Sequence, residues 1–488
     1  MKKYFVLLAL LTLTVSCKKW LDIKPQSEVS EDDLFSTEDG FKDAVNGLYS
    51  RCTQEDLYGR ELMGGLPDVL AQNYTLPALD QVGYKEASLY NYKNKRLIER
   101  KDQAWKGLYE VIANCNIILS QVDKKQGLLS PVNYNLVKGE ALAMRAYCHF
   151  DVLRLFAPAA ATGATAKAIP YVTAFTKKSS ALLTVTAVLD SALQDLLAAK
   201  MLLVKSDPIL QAGYKVGYPI KDSSSEDAGE MFVQQRRHRL NYYAVCGELA
   251  RVYLYKNDKT NALLYAREVI NAGKFPWTRQ EDFLNGDDEK KDRILYKELL
   301  FGFYMPNRSG TLNDMYRRGE NNSLVVSSIE GQNIYETGGV GGDDFRFKQW
   351  FSEQPGSNGN YLQLDKYKRD GDANIHYQMG PAIRLSEIYY IAAECSFAAS
   401  PKQAWDYFNE VRLHRGIGPR NTNEASAEVF YTELVKEARK EFYGEGQVFY
   451  MYKRLNRAIT GANGKLIPAA NSIFVLPLPD DEIAYGNR

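Results

Sequence analysis

This 488-residue sequence predicts an all-α fold class: a scaffold of tetratricopeptide-like helix pairs with long irregular loop insertions and a few short strands. Three observations predict it. Several segments repeat apolar residues at i, i+3, i+4 and i+7, the period of a helix with one buried face. Two stretches read as helix, short polar turn and helix, with alanines and aromatics on matching faces. Between these, three long regions lose the period altogether.

At the amino terminus, Lys2 and Lys3 precede an uncharged apolar run over residues 4–15. As a helix it rises about 18 Å, against about 30 Å of bilayer hydrocarbon, so it is too short to span. A basic start, an apolar centre and a small residue before the cut form the secretory pattern. Here the small residue is Ser16 and the next is Cys17. The arrangement is similar to a bacterial lipoprotein signal, in which the mature chain begins at a cysteine carrying a diacylglycerol. Thr14 stands where that class usually has leucine. Residues 1–16 are therefore expected to be a leader, and residues 17–488 a single domain.

The segment "WKGLYEVIANCNIIL" carries the stripe Trp105, Leu108, Tyr109, Ile112 and Leu119. In "GEALAMRAYCHFDVLRLF" the stripe is Ala143, Ala146, Tyr147, Phe150 and Leu153, and its alanines allow a second helix to approach closely. The first helix pair places Leu249, Val252 and Tyr253 before a turn at residues 256–259, then Ala262, Tyr265, Ala266, Val269 and Ile270. The second runs through Leu385, Ile388, Tyr389, Ala392 and Ala393. It returns through Ala404, Tyr407, Phe408 and Val411, with Ser400 as N-cap and Pro401 in the first turn.

Residues 54–95, 213–239 and 275–381 are the irregular regions. Such insertions on a rigid frame are where binding surfaces usually lie. Short strands are expected around "SLVVSSI" and "SIFVLPLP", and "KDSSSEDAGE" reads as an exposed loop.

Composition narrows the function. A formal charge of +1 gives no electrostatic footprint for nucleic acid. Beyond Cys17 the five cysteines are widely spaced without CxxC, and they read as core residues rather than a zinc site or disulfide framework. The four histidines form no HExxH. Asp370, Asp372 and Asn374 copy the opening of a calcium loop, but Ile375 and Pro381 occupy the positions that need glycine and glutamate. No metal or cofactor is expected. The "TGGVGGDD" stretch lacks the lysine of a phosphate loop and reads as a turn.

Taken together and in order, these motifs resemble the SusD/RagB family of outer-membrane lipoproteins from the Bacteroidetes. The resemblance is carried by "LDIKPQSE", "LFSTEDGFKDAVNGLYS", the two helical stripes above, "ELARVYLYKNDKTNALLYAREVI", "IRLSEIYYIAAE", "FNEVRLHRG", "EARKEFYGEGQVFYMYKR" and "LPLPDDEIA". It implies a helical, tetratricopeptide-like fold. It also implies a non-enzymatic, cell-surface role: nutrient oligosaccharides are bound and delivered to a SusC-like TonB-dependent transporter, or peptides and glycoprotein fragments in the alternative reading. Cys17 is the lipidated position that the family pattern transfers.

The family motifs are scaffold residues and bring no ligand site with them. Candidate ligand residues are therefore taken from the irregular regions, where family contacts tend to arise: Asn73, Tyr74, Tyr90 and Tyr92 from the first, Tyr316 and Arg317 from the third. An aromatic ring packs on the C–H face of a pyranose, while neighbouring amides and guanidinium groups bond its hydroxyls. Asn116 reads as a buried amide, and Arg145 and Arg154 as ion-pair partners of Glu140 or Asp151. Glu441 and Glu445 are the pair a carboxylate hydrolase would use. They fall in a scaffold motif, and no catalytic residue is expected.

Overall fold

The structure is a computed structural model describing residues 30–176, 178–219, 224–306, 309–368, 376 and 378–486. Its helical frame begins with α1 (Glu38–Cys52), α2 (Lys95–Val122), α3 (Pro131–Phe156) and α4 (Val185–Leu203). Each starts at a side-chain cap: Thr37, Asn94, Ser130 and Thr184 accept backbone N–H groups of the first turn. Helix α3 is buried almost throughout, packed against α1, α2, α4 and α5 (Tyr242–Tyr255). Its alanines at 141, 143 and 146 are wholly buried, which lets the neighbouring helices close around it.

The two predicted helix pairs are present. Helix α5 turns through Lys256–Asp258 into α6 (Lys259–Ala272), which Asp258 caps and Gly273 ends at φ 58°. The second pair, α9 (Leu385–Ser396) and α10 (Pro401–Leu413), has the expected Ser400 cap onto the Gln403 N–H. Though far apart in sequence, the pairs pack side by side through α6 and α9. Equivalent tyrosines meet within each: Tyr253 with Tyr265, ring centroids 5.6 Å apart, and Tyr389 with Tyr407 at 6.1 Å.

The third irregular region holds more order than its sequence suggests. Strand β1 (Leu299–Tyr304) pairs antiparallel with β5 (Met379–Arg384), which runs directly into α9. Between them lie α7 (Ser309–Arg317), β2 (Val326–Ser327), α8 (Ser328–Tyr335), β3 (Phe351–Gln354) and β4 (Tyr361–Leu364). The sheet order is β2-β4-β3. Thus "SLVVSSI" contributes only two strand residues before becoming helix. The expected strand at "SIFVLPLP" is absent: Asn471–Phe474 form one helical turn. Beyond it the Leu476 N–H bonds the Leu155 carbonyl at the end of α3 instead of a sheet neighbour. Helices α11 (Ala427–Glu441) and α12 (Val448–Leu455) and a hairpin of β6 (Ile459–Thr460) with β7 (Leu466–Ile467) complete the frame.

Buried ion pairs tie these layers together. Arg154 pairs with Asp151, as expected. Arg145 does not use Glu140: it forms two bonds to Asp195 of α4, at 2.6 and 2.7 Å, because Glu140 is taken by Arg236 and Arg239. Asn116 is the buried amide the sequence suggested, accepting from Arg145 and donating to the Val172 carbonyl. The five described cysteines are free, four of them buried. No described helix is long and apolar enough to cross a membrane.

Candidate functional site

A cleft of about 710 Å³, within the range of small-ligand sites, opens beside α1. One wall is the polar face of α1, where Asp39, Lys42, Asp43, Asn46, Tyr49 and Ser50 recur at helical spacing. The opposite face of α1, Phe41, Val45, Leu48 and Cys52, is buried in the core. The second wall is the segment from Glu230 to Arg239, and the end of β1 closes the cleft with Tyr304, Met305 and Pro306.

A buried network sets these walls. The Glu140 carboxylate of α3 accepts from Tyr49 Oη at 2.8 Å, from Arg236 at 2.8 Å and from Arg239 at 3.1 Å. Arg236 also reaches Asp207 at 2.9 and 3.1 Å, and Arg237 pairs with the buried Glu226 at 2.6 Å. Burial alone would raise the Glu140 carboxyl, but Arg236 and Arg239 hold it below its ordinary range. The "KDSSSEDAGE" loop is consequently not wholly exposed: Glu226 is its buried anchor.

Within the cleft the His238 ring stacks on Tyr304, with centroids 4.9 Å apart and planes 20° from parallel. Tyr304 keeps 39% of its surface exposed. Burial, then the charges of Arg237 and Arg239, pushes the His238 pKa down to about 3, so the ring is neutral near pH 7. A neutral flat platform bordered by Asn46, Gln234 and Gln235 suits a ligand with C–H faces and hydroxyl edges.

The residues singled out from sequence lie elsewhere. The first and third irregular regions do meet: Thr75 N–H bonds the Val325 carbonyl at 2.8 Å, and Gln81 N–H the Asn321 carbonyl at 2.9 Å. Asn73, Tyr74 and Tyr316 come together there, but inside the protein. Tyr74 Oη donates to the Gly64 carbonyl at 2.8 Å and lies 3.3 Å from Tyr316 Oη. Asn73 bonds Asp68 and accepts from Arg439, each at 3.0 Å. Asn73 and Tyr316 have no exposed surface and Tyr74 has 8%, so this arrangement makes them core rather than ligand contacts.

Tyr90 and Tyr92 are half-buried, their hydroxyls donating to the carbonyls of Leu70 and Ile473 at 2.7 and 2.5 Å. Arg317 is also partly exposed and pairs with Asp365. Cys17 and the Asp370, Asp372 and Asn374 stretch fall outside the described residues. Among those described, no group of three or more His, Cys, Asp or Glu side chains is placed to hold a metal.

The acidic pair is also accounted for. Glu441 accepts four bonds from three arginines: Arg384 at 2.5 Å, Arg415 at 2.7 and 2.9 Å, and Arg346 at 3.0 Å. Glu445 is held by Lys366 and by Arg384 at 2.9 Å. Both carboxylates are buried, 0% and 3% exposed, and spent on cations.

Residues 19–211 match a family model described as "Starch-binding associating with outer membrane", and residues 332–482 match one described as "SusD family". The chain belongs to the SusD/RagB family. This SusD/RagB member is 23% identical to SusD-like protein P2 of Formosa agariphila over an alignment spanning 100% of this chain and 98% of that protein. It is 25% identical to SusD-like protein P25 of the same organism, over 30% of this chain and 28% of that one. Two crystal structures share its fold with a TM-score of 0.71. A SusD-like carbohydrate binding protein from Bacteroides vulgatus is 17% identical, with 92% of this chain and 97% of that one covered. A SusD superfamily protein from Bacteroides thetaiotaomicron is 20% identical, with 92% and 98% covered.

The cleft residues of this SusD/RagB member escaped the sequence reading for a physical reason. The stripe from Asp39 to Ser50 looks like any solvated helix face. It becomes a wall only when Glu230–Arg239 folds across it.

Proposed function

We propose that this protein is a cell-surface binding lipoprotein and not an enzyme. It is anchored to the outer membrane through a lipid on Cys17, and it captures a nutrient oligosaccharide for a SusC-like TonB-dependent transporter. The observation that carries the binding step is the neutral His238–Tyr304 platform in the 710 Å³ cleft, edged by amide side chains. The family description as starch-binding at the outer membrane supports the same reading. Ligand contact at Tyr90, Tyr92 and Arg317, the sequence-derived candidates with exposed surface, is proposed second to the cleft.

The binding step is tested with the mature chain on a broad glycan panel, followed by titration calorimetry. The expected result is at least one oligosaccharide bound, with the Tyr304→Ala variant losing most of the affinity. Peptides held where no glycan binds would move the cargo to the peptide alternative. Mass spectrometry of the native amino terminus tests the anchor, and an unmodified Cys17 would remove it.

A further inference from the structure

The charged groups around the cleft bear on which glycans it takes. An ammonium has three N–H donors. The Lys42 ammonium donates to Asp39 at 3.2 Å and to Glu230, and also pairs with Glu38 at 3.3 Å. Arg239 is turned inward to Glu140 and Asn46, and its guanidinium lies over the rings of Phe232 and Tyr49 at 4.6 and 5.4 Å. Its charge is thereby paired with a buried carboxylate, and only 13% of the side chain is exposed. His238, the remaining basic side chain lining the cleft among the described residues, is neutral near pH 7.

The carboxylates differ in one respect: they face water. The side chains of Asp39 and Glu230 are 86% and 56% exposed even while paired with Lys42, and Asp43 is exposed on the same face of α1. The rim therefore sets Asp39, Asp43 and Glu230 against the single ammonium of Lys42. Its outward-facing charge is negative, while the floor of the cleft offers amides, hydroxyls and rings.

We infer that this cleft selects uncharged oligosaccharides and turns away sulfated or uronic-acid-bearing ones. The inference rests on the cleft being the glycan site. A sulfate or carboxylate on the ligand meets no uncommitted cation among the described lining residues, and three exposed carboxylates stand at its edge. A like charge about 8 Å away across water weakens binding roughly twofold. Three together give about tenfold at low ionic strength, and less in physiological salt.

The test uses the mature chain and a panel of neutral, sulfated and uronate oligosaccharides of matched length. It is read at low and physiological salt with the wild type, the Tyr304→Ala variant and the triple variant D39N/D43N/E230Q. All the triple-variant positions are exposed, so folding is not at issue; circular dichroism checks it. Expected are binders from the neutral members, lost in Tyr304→Ala, and a gain of about tenfold on anionic members in the triple variant at low salt. An anionic glycan bound by the wild type and lost in Tyr304→Ala overturns the charge selectivity while leaving the site intact. So does a triple variant with no gain on anions. A lysine-rich peptide held in preference to every neutral glycan overturns it too. A panel without any binder overturns the glycan reading itself, and the selectivity with it.

Discussion

Replacing Glu441 by glutamine keeps the shape of the side chain and removes its charge. In the folded protein that carboxylate sits among Arg346, Arg384 and Arg415, none more than 1% exposed, and accepts four hydrogen bonds. Burial would push its carboxyl upward, but Arg415 and Arg384, then Arg346, hold it well below the usual carboxylate range. Glutamine still offers one acceptor oxygen, yet its amide N–H₂ must face guanidinium donors. Glu298 continues to neutralise Arg415, and Glu445 to neutralise Arg384. Removing one partner of a buried ionic network costs about 3–5 kcal/mol, and the partial compensation here puts Glu441→Gln near ~4 kcal/mol. Against a typical domain stability of about 5–15 kcal/mol this is severe but survivable. Equilibrium urea denaturation of residues 17–488 at pH 7 measures it, and titration with whichever glycan tests the proposed function should give wild-type affinity for the same variant. A loss under about 1 kcal/mol would refute the reasoning, since it would mean the arginines are already solvated.

The remaining predictions are independent of that network or extend it. Acidification should leave the melting temperature nearly flat from pH 6.5 to 4.5 and lower it below 4.5. His149 and His238, down from 6.5 to about 3, lose stabilisation as pH falls through the upper window; Asp68 and Glu248, each raised to about 7, gain it there. Below 4.5, Glu437, lowered to about 2, and Glu441 lose theirs. A melting series from pH 7 to 3 checks the sign, and NMR should show neither His149 nor His238 titrating between pH 5 and 8. Gly446→Ala should cost at least about 3 kcal/mol: φ is +72°, and a Cβ would lie 2.3 Å from the Met63 carbonyl oxygen, which is backbone and cannot swing away. Tyr316→Ala should cost about 3–5 kcal/mol as a core truncation, whereas Tyr304→Ala, which removes a half-exposed ring stacked on His238, should cost only about 1–2 kcal/mol in the same melts.

The helical frame was legible because it obeys local rules. The period placed Ala143, Ala146 and Tyr147 on a buried helix, and Ser400 followed by Pro401 announced the start of α10. The site was less legible, since it depends on contacts between distant segments. Tyr74 and Tyr316 stand in Pro-, Asn- and Gly-rich sequence, which suggests surface. Yet their hydroxyls are turned inward onto each other and the Gly64 carbonyl. Arg145 chose Asp195 over Glu140 because of two arginines ninety or more positions away, which no helix-local spacing could report. The platform residues His238 and Tyr304 carry no motif; only the crossing of β1 with the 236–239 turn stacks them.

The pairing of β1 with β5 has a consequence for how such a chain changes over generations. Leu299 faces Arg384 and Tyr304 faces Met379, so the chain between residues 304 and 379 leaves the frame and returns to it at one fixed point. The entropy of closing such a loop grows only with the logarithm of its length, and doubling the excursion costs about 0.6 kcal/mol. Lengthening the exposed turns of that stretch is thus thermodynamically cheap, while its buried anchors Tyr316, Tyr335, Arg346 and Trp350 and the helix pairs on either side stay fixed. The frame works as a socket: its surface turns can grow without refolding the body that holds them.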